Sequence, residues 1–150
     1  MKAVIQRVTS ASVVVKGEII SEIDNGLLIL LGITQEDTTE DIQWLTKKIA
    51  NLRIFNDENE VMNKSLIQID GEAIIVSQFT LMANTKKGNR PSYIKAAKPG
   101  IAISLYHQFI HQFEQGLNKK VGTGIFGADM KINLQNDGPI TIIIDTKNKE

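Results

Sequence analysis

Residues 134–144 read LQNDGPITIII: a strand-like LQN, a single Asp137, a Gly-Pro pair at 138–139 and the β-branched run ITIII. Proline has no N–H to give a ladder, so it sits at a sheet edge, at a bulge or at the first residue of a strand, never inside a central one. The stretch therefore predicts two closing strands, KINLQ and ITIIID, interrupted between them. The charged tail TKNKE has no apolar pattern to hold it and is expected to fray.

Toward the N-terminus lies a Gly-rich passage, VGTGIFGADM, at 121–130. Before it, Pro99 suits the first turn of a helix whose Ile101, Leu105, Phe109, Phe113 and Leu117 form a stripe at i+4 steps, ending at Gly116 or near Asn118. The first third alternates β-branched segments with turn signals: AVIQRV, SVVVK, Lys16-Gly17, EIISEI, Asp24-Asn25-Gly26 and LLILLGI, which reads as a meander with hairpins. Asp37, Thr38 and Thr39 offer N-caps to a helix over about 39–51 with Ile42, Leu45, Ile49 and Leu52 at helical spacing and Trp44 at the edge of the stripe. A strand at LRIF, a turn at NDEN and an apolar strand at AIIVSQF follow, then the polar loop NTKKGNRPS. The sum is a single α+β domain over 1–150, a largely antiparallel, barrel-like sheet carrying two amphipathic helices.

Composition narrows the chemistry. The chain has no cysteine, which excludes disulfides, thiolate zinc sites and cysteine nucleophiles and suits a reducing cytoplasm. No apolar run approaches the roughly 20 residues a bilayer requires, and the charged N-terminus does not read as a signal peptide. Lys plus Arg and Asp plus Glu are both 17, so long duplex binding is not expected. A local basic cluster, Lys86, Lys87, Arg90, Lys95 and Lys98, is either a solvated loop or a grip for a few phosphates.

The two histidines, His107 and His111, stand at i,i+4 on the second helix with no intervening metalloprotease glutamate. They fall about 200° from the apolar stripe, so they belong on the solvent face and no metal site is assigned. No G-x-S-x-G elbow presents a serine to either one. Gly122, Gly124 and Gly127 lack the preceding βαβ context of a dinucleotide site. What stands out is SQFTLMA at 77–83, where an apolar strand ends in Ser, Gln and Thr before the basic loop. By pattern alone it is either turn chemistry or an uncharged polar pocket.

Five segments in shared order, AVIQRVTSASVVV, SQFTLMA, GNRPSY, TGIFGADM and NDGPIT, make the chain resemble the D-aminoacyl-tRNA deacylase (D-tyrosyl-tRNA deacylase) family over nearly its whole length. Asn84 and Tyr93 depart from that pattern, which more often has Asp and Phe there. The resemblance implies a homodimeric, cofactor-free esterase with active sites at the subunit interface, acting on the aminoacylated 3′ end of tRNA. It implies a cis Gly138-Pro139 peptide that enters the partner's site as the selectivity device, braced by Arg7, with Pro139 opening its strand. It puts the reaction at Ser77, Gln78, Phe79 and Thr80, lines the substrate pocket with Leu81, Met82 and Ala83, and sets the terminal adenosine against Phe126, Gly127, Ala128 and Met130, of which Phe126 and Met130 read from pattern alone as core. Lys86, Lys87 and Arg90 become candidates for acceptor-end phosphates. Two other classes stay open: a non-catalytic nucleic-acid-binding dimer of the same fold, and a small-molecule esterase.

Overall fold

The computed structural model describes residues 1–150. Strand β1 (Lys2–Val15) pairs along one edge with β8 (Met130–Asp145) and along the other with β2 (Glu18–Ile23) and then β3 (Gly26–Gly32), all antiparallel. Lys16 and Gly17, with φ of 51° and 79°, make the tight turn between β1 and β2. Helix α1 (Thr39–Ala50), the small β4 (Phe55–Asn56) and β5 (Met62–Lys64) pair, and β6 (Glu72–Ser77) follow. A one-turn 3-10 helix (Phe79–Met82), α2 (Pro99–Leu117), β7 (Gly122–Thr123) and β8 complete the order.

The helices form for the reasons their termini announce. The Asp41 carboxylate accepts the Thr38 N–H at 2.9 Å and so caps α1. Pro99 opens α2, and Asn118 closes it in the left-handed region at φ 55°. Both helices lie on one face of the sheet, where Ala3, Ile5, Leu27, Ile29, Leu31, Ala73 and Ile75 meet Ile42, Leu45, Ile49, Leu105, Phe109 and Phe113. A smaller cluster fills the other face with Val8, Ala11, Val13, Ile23, Leu28, Ile74 and Val76. The inward residues of β1 change parity between Val8 and Ala11, where its pairing with β8 slips register. Trp44 packs at the core's edge with the Lys149 ammonium 4.5 Å above its ring.

Several expectations need correction. The segments AVIQRV and SVVVK are one strand, and KINLQ and ITIIID are one strand running through Gly138-Pro139. Asp24-Asn25-Gly26 is not a hairpin but a bend between two strands on the same edge of β1. LRIF shrinks to Phe55 in the two-residue β4, while the sheet is largely antiparallel as expected, with β3–β6 and β6–β7 as its two parallel pairs. Ile101 is 39% exposed, and Ala102 and Tyr106 are buried in the stripe instead. The tail is tied down through Thr146, whose N–H donates to the Met1 carbonyl at 2.8 Å, and Lys147, whose ammonium meets Asp41 at 2.9 Å.

That tie belongs to a buried polar knot. The Met1 ammonium donates to Asp37 at 2.5 Å and to Thr146 Oγ1 at 2.7 Å. Burial would raise the Asp41 pKa, but hydrogen bonds from Thr146, Lys147 and the Thr38 N–H, with the nearby N-terminal charge, hold it well below the usual carboxylate range.

Candidate active site

The end of β6 is where the polar corner forms. Ser77 is the last strand residue, opposite Leu31 of β3, and the Gln78 N–H donates to the Leu31 carbonyl at 2.8 Å. The chain then turns sharply through Phe79–Met82, and the Gln78 side-chain amide donates to Thr80 Oγ1. That is the Thr80 hydroxyl's one hydrogen bond within the chain, so neither a carboxylate nor an imidazole is there to take its proton. No side chain caps the turn, and its first N–H groups, those of Phe79 and Thr80, have no acceptor inside it. Gly32 lies beneath: a Cβ there would stand 2.8 Å from Met82 Cε and 2.9 Å from Leu81 Cβ.

Two further segments flank this corner. Strand β7 runs parallel to β6 with Thr123 opposite Ile75, which sets Gly124 beside Val76 and leads into Phe126–Met130. Ala128 and Met130 pack on the smaller cluster, while Phe126 packs on the larger one, its ring 6.2 Å from that of Tyr106. These side chains are half-buried, so core and pocket wall are one surface here. Burial pushes the Tyr106 phenol up to about 12, so it stays a neutral donor, bonded to the Ile75 carbonyl at 2.6 Å. On the other flank Phe79, 55% exposed, meets Tyr93 edge to face at 5.0 Å. Lys86, Lys87 and Arg90 are exposed on the loop closed by the Asn84–Ser92 backbone pair. His107 and His111 are exposed on α2, and no group of three His, Asp or Glu side chains could hold a metal.

Gly138 and Pro139 sit elsewhere. Between the pairs Gln6–Thr141 and Val8–Asn136, the single residue Arg7 of β1 stands opposite 137–140 of β8, so the Gly-Pro peptide, which is cis, is carried on an excursion outside the ladder. This is how a proline lies within a strand without breaking its bonds. Arg7, 7% exposed, braces the excursion: Nε donates to the Asp137 carbonyl at 3.3 Å and meets its carboxylate at 3.1 Å, while Nη1 donates to the Ile54 carbonyl at 2.8 Å. Asn136 closes it by accepting the Ile140 N–H at 2.9 Å and donating to the Ile140 carbonyl at 3.0 Å. Sequence reasoning passed over Asn136, although an Asn or Asp just ahead of a Gly-Pro pair is a recognisable signal for a side chain bonding to nearby backbone.

Within one chain the loop and the corner are far apart. Arg7 pairs with Leu27 and Leu27 with Ala73, so three strand spacings and the step from Ala73 to Ser77 separate them. At about 4.8 Å per spacing and about 3.3 Å per residue this is roughly 20 Å measured along the sheet. Gly138 and Pro139 are exposed, and the outer edge of β8 has no strand beside it.

No helix is long and apolar enough to cross a membrane. A family model described as D-Tyr-tRNA(Tyr) deacylase matches residues 4–145. The D-aminoacyl-tRNA deacylases of Flavobacterium psychrophilum and Bacteroides thetaiotaomicron are 66% and 59% identical over 150 residues, covering all of both chains. Among solved structures, the c-Myc DNA Unwinding Element Binding Protein superposes with a TM-score of 0.92 at 42% identity, covering 97% of this chain and 99% of its own. A probable eukaryotic D-amino acid tRNA deacylase gives 0.83 at 15% identity over 95% of this chain and 97% of its own, which speaks to the fold alone. With its polar strand-end corner and its braced Gly-Pro loop, the chain belongs to the D-Tyr-tRNA(Tyr) deacylase family.

Proposed function

We propose that the protein hydrolyses the ester between a D-amino acid and the 3′-terminal adenosine of tRNA, in the cytoplasm and as a homodimer, releasing free tRNA and the D-amino acid. It is a hydrolase of the D-aminoacyl-tRNA deacylase class, like its full-length relatives. One observation carries the fuller reading: a corner with unpaired N–H groups and a rigidly braced, exposed Gly-Pro loop lie three strands apart on the same chain, roughly 20 Å along the sheet. A second copy related by two-fold symmetry supplies each corner with the other chain's loop. The unpaired edge of β8, with Leu134 37% and Ile143 67% exposed, is the surface that would meet it.

In this reading the Phe79 and Thr80 N–H groups stabilise the developing oxyanion, worth about 3 to 4 kcal/mol per donor. Thr80 has no base, so it positions rather than attacks, and the substrate's own ribose 2′-OH helps activate water. An activated ester needs no more than this. Leu81, Met82 and Ala83 wall the substrate, Phe126, Gly127, Ala128 and Met130 receive the adenosine, and Lys86, Lys87 and Arg90 meet acceptor-end phosphates. The partner's loop accepts from the substrate ammonium through main-chain carbonyls and leaves no room for a side chain on the L side, so chirality is read by exclusion. Glycine has nothing to exclude, and glycyl-tRNA is cleaved as well.

The test is paired hydrolysis of D-tyrosyl-tRNA and L-tyrosyl-tRNA by one preparation, with glycyl-tRNA as a third substrate. Release of D-tyrosine and glycine without L-tyrosine is expected. Release from both enantiomers, or inertness toward glycyl-tRNA, contradicts exclusion. Release from none favours a second reading, a nucleic-acid-binding dimer, which the similarity to a DNA unwinding element binding protein suggests and the zero net charge disfavours.

A further inference from the structure

A cleft of 810 Å³ opens where the catalytic corner ends, its wall continuing from Thr80 through Leu81, Met82 and Ala83. Four lysines and two carboxylates line it. Two of the lysines are engaged, Lys2 with Asp145 at 3.7 Å and Lys147 with Asp41 at 2.9 Å. The other two, Lys86 and Lys95, have no carboxylate partner, whereas Lys87 and Arg90 of the same basic loop do not line the cleft at all. The second lining carboxylate, Glu36, has no ion pair either, so the cleft's unpaired charges are Lys86 and Lys95 against one carboxylate, a net positive excess.

The wall bearing Lys95 is held in place. The Ala97 N–H donates to the Ile33 carbonyl at 2.9 Å, Ala96 pairs with Thr34, and the Ala96 N–H donates to the Tyr93 carbonyl at 2.9 Å. Beside Lys95, Ile94 is 89% exposed, an apolar surface that the fold leaves bare. At the foot of the same wall the Thr34 hydroxyl is the one buried side-chain polar atom without a hydrogen-bond partner. That oxygen is shielded from the cleft itself, so the polar lining a ligand meets there is that of the exposed residues.

Unpaired cations and a bare apolar surface around one cleft match a nucleotide's phosphodiester and base. We propose that this cleft holds the nucleotide preceding the terminal adenosine on the single-stranded 3′ end of tRNA, with its phosphodiester on Lys86 and Lys95 and its base on Ile94 and Leu81. The inference rests on the deacylase reading above and adds to it a second nucleotide subsite. Lys87 and Arg90 are left for phosphates further along the acceptor end.

The experiment compares kcat/KM on D-tyrosyl-adenosine with that on the D-tyrosyl ester of the trinucleotide CCA. The trinucleotide is expected to be better by roughly tenfold, through KM, and its rate should fall with salt. In Lys95→Gln that advantage shrinks roughly fivefold and the salt slope drops by about 0.7, as for one single-strand phosphate lost. Lys86→Gln behaves likewise, and Lys120→Gln, an exposed lysine on another surface, keeps the full advantage. Equal kcat/KM on the two substrates, or an undiminished advantage in Lys95→Gln, overturns the subsite while leaving the deacylase reading intact. Failure to cleave D-tyrosyl-adenosine, the trinucleotide ester and D-tyrosyl-tRNA alike overturns both.

Discussion

Arg7→Met isolates the brace on the Gly-Pro loop. Methionine keeps much of the aliphatic volume and removes the guanidinium, leaving the Ile54 and Asp137 carbonyls without their charged donor. A hydrogen bond from a charged donor contributes about 1.5–3 kcal/mol when buried. The Ile54 bond, at 2.8 Å and buried, belongs at the upper end of that scale. The ion pair adds little, because Asp137 is 40% exposed and such pairs are worth about 0–1 kcal/mol. A loss of about 3 kcal/mol follows, a fall in Tm of roughly 6–12 °C for a chain this long. Urea unfolding at fixed protein concentration reads the stability, and D-tyrosyl-tRNA hydrolysis well below the variant's midpoint reads the loop, where a drop of at least about tenfold is expected. Asp137→Asn, which keeps the backbone acceptor, should cost no more than about 1 kcal/mol. If Arg7→Met loses less than about 1 kcal/mol and hydrolyses normally, Asn136 alone holds the loop and the bracing account is wrong.

Three other outcomes follow from the geometry. Gly32→Ala thrusts a methyl against Leu81 and Met82, displacing the turn that carries Phe79 and Thr80, so kcat on D-tyrosyl-tRNA should drop by roughly tenfold or more while the far-ultraviolet spectrum is unchanged. A substrate ending in 2′-deoxyadenosine should be cleaved at least about a hundredfold more slowly, whereas Thr80→Ala keeps most of the activity; the reverse pattern makes Thr80 the nucleophile. Because folding depresses the Asp41 pKa, its contribution to stability is complete above the unfolded value near 4 and is lost as pH falls below it, so urea midpoints of Asp41→Asn should decline less steeply than wild type in acid.

Helix α1 was legible because its cap and stripe are local, a Thr-x-x-Asp start and apolar residues at helical steps. The bend at Asp24-Asn25-Gly26 was not, because its shape is decided far away in sequence. Glu72 accepts the Asp24 N–H at 2.8 Å and donates its own N–H to the Asn25 carbonyl at 3.1 Å, and a Cβ on Gly26 would collide with Glu72 backbone. A turn signal there is used to let β6 approach, not to reverse the chain. The parallel β3–β6 pairing was equally hidden, since a strand buried on both faces reads as a plain apolar run whichever way its neighbour points. The site divides the same way. Ser77–Thr80 could be picked out as an uncommon polar strand end, but that Asn136 clasps the excursion, and that four residues bulge opposite Arg7, depends on the β1–β8 register. No local period encodes that register.

The claim on which the account turns is that a corner on one chain works with a loop from another, and subunit mixing tests it directly. Gly32→Ala damages the corner, and Gly138→Ala damages the loop, because its residue sits at φ 124° and a Cβ would meet Ile140 at 2.8 Å. Each variant alone should be far below wild type. Unfolded, mixed in equal amounts and refolded together, they form heterodimers in which one of the two sites unites an intact corner with an intact loop, so activity on D-tyrosyl-tRNA should return to about a quarter of wild type. Activity that stays at the mean of the two separate variants would mean that loop and corner serve the same chain, and would contradict the account.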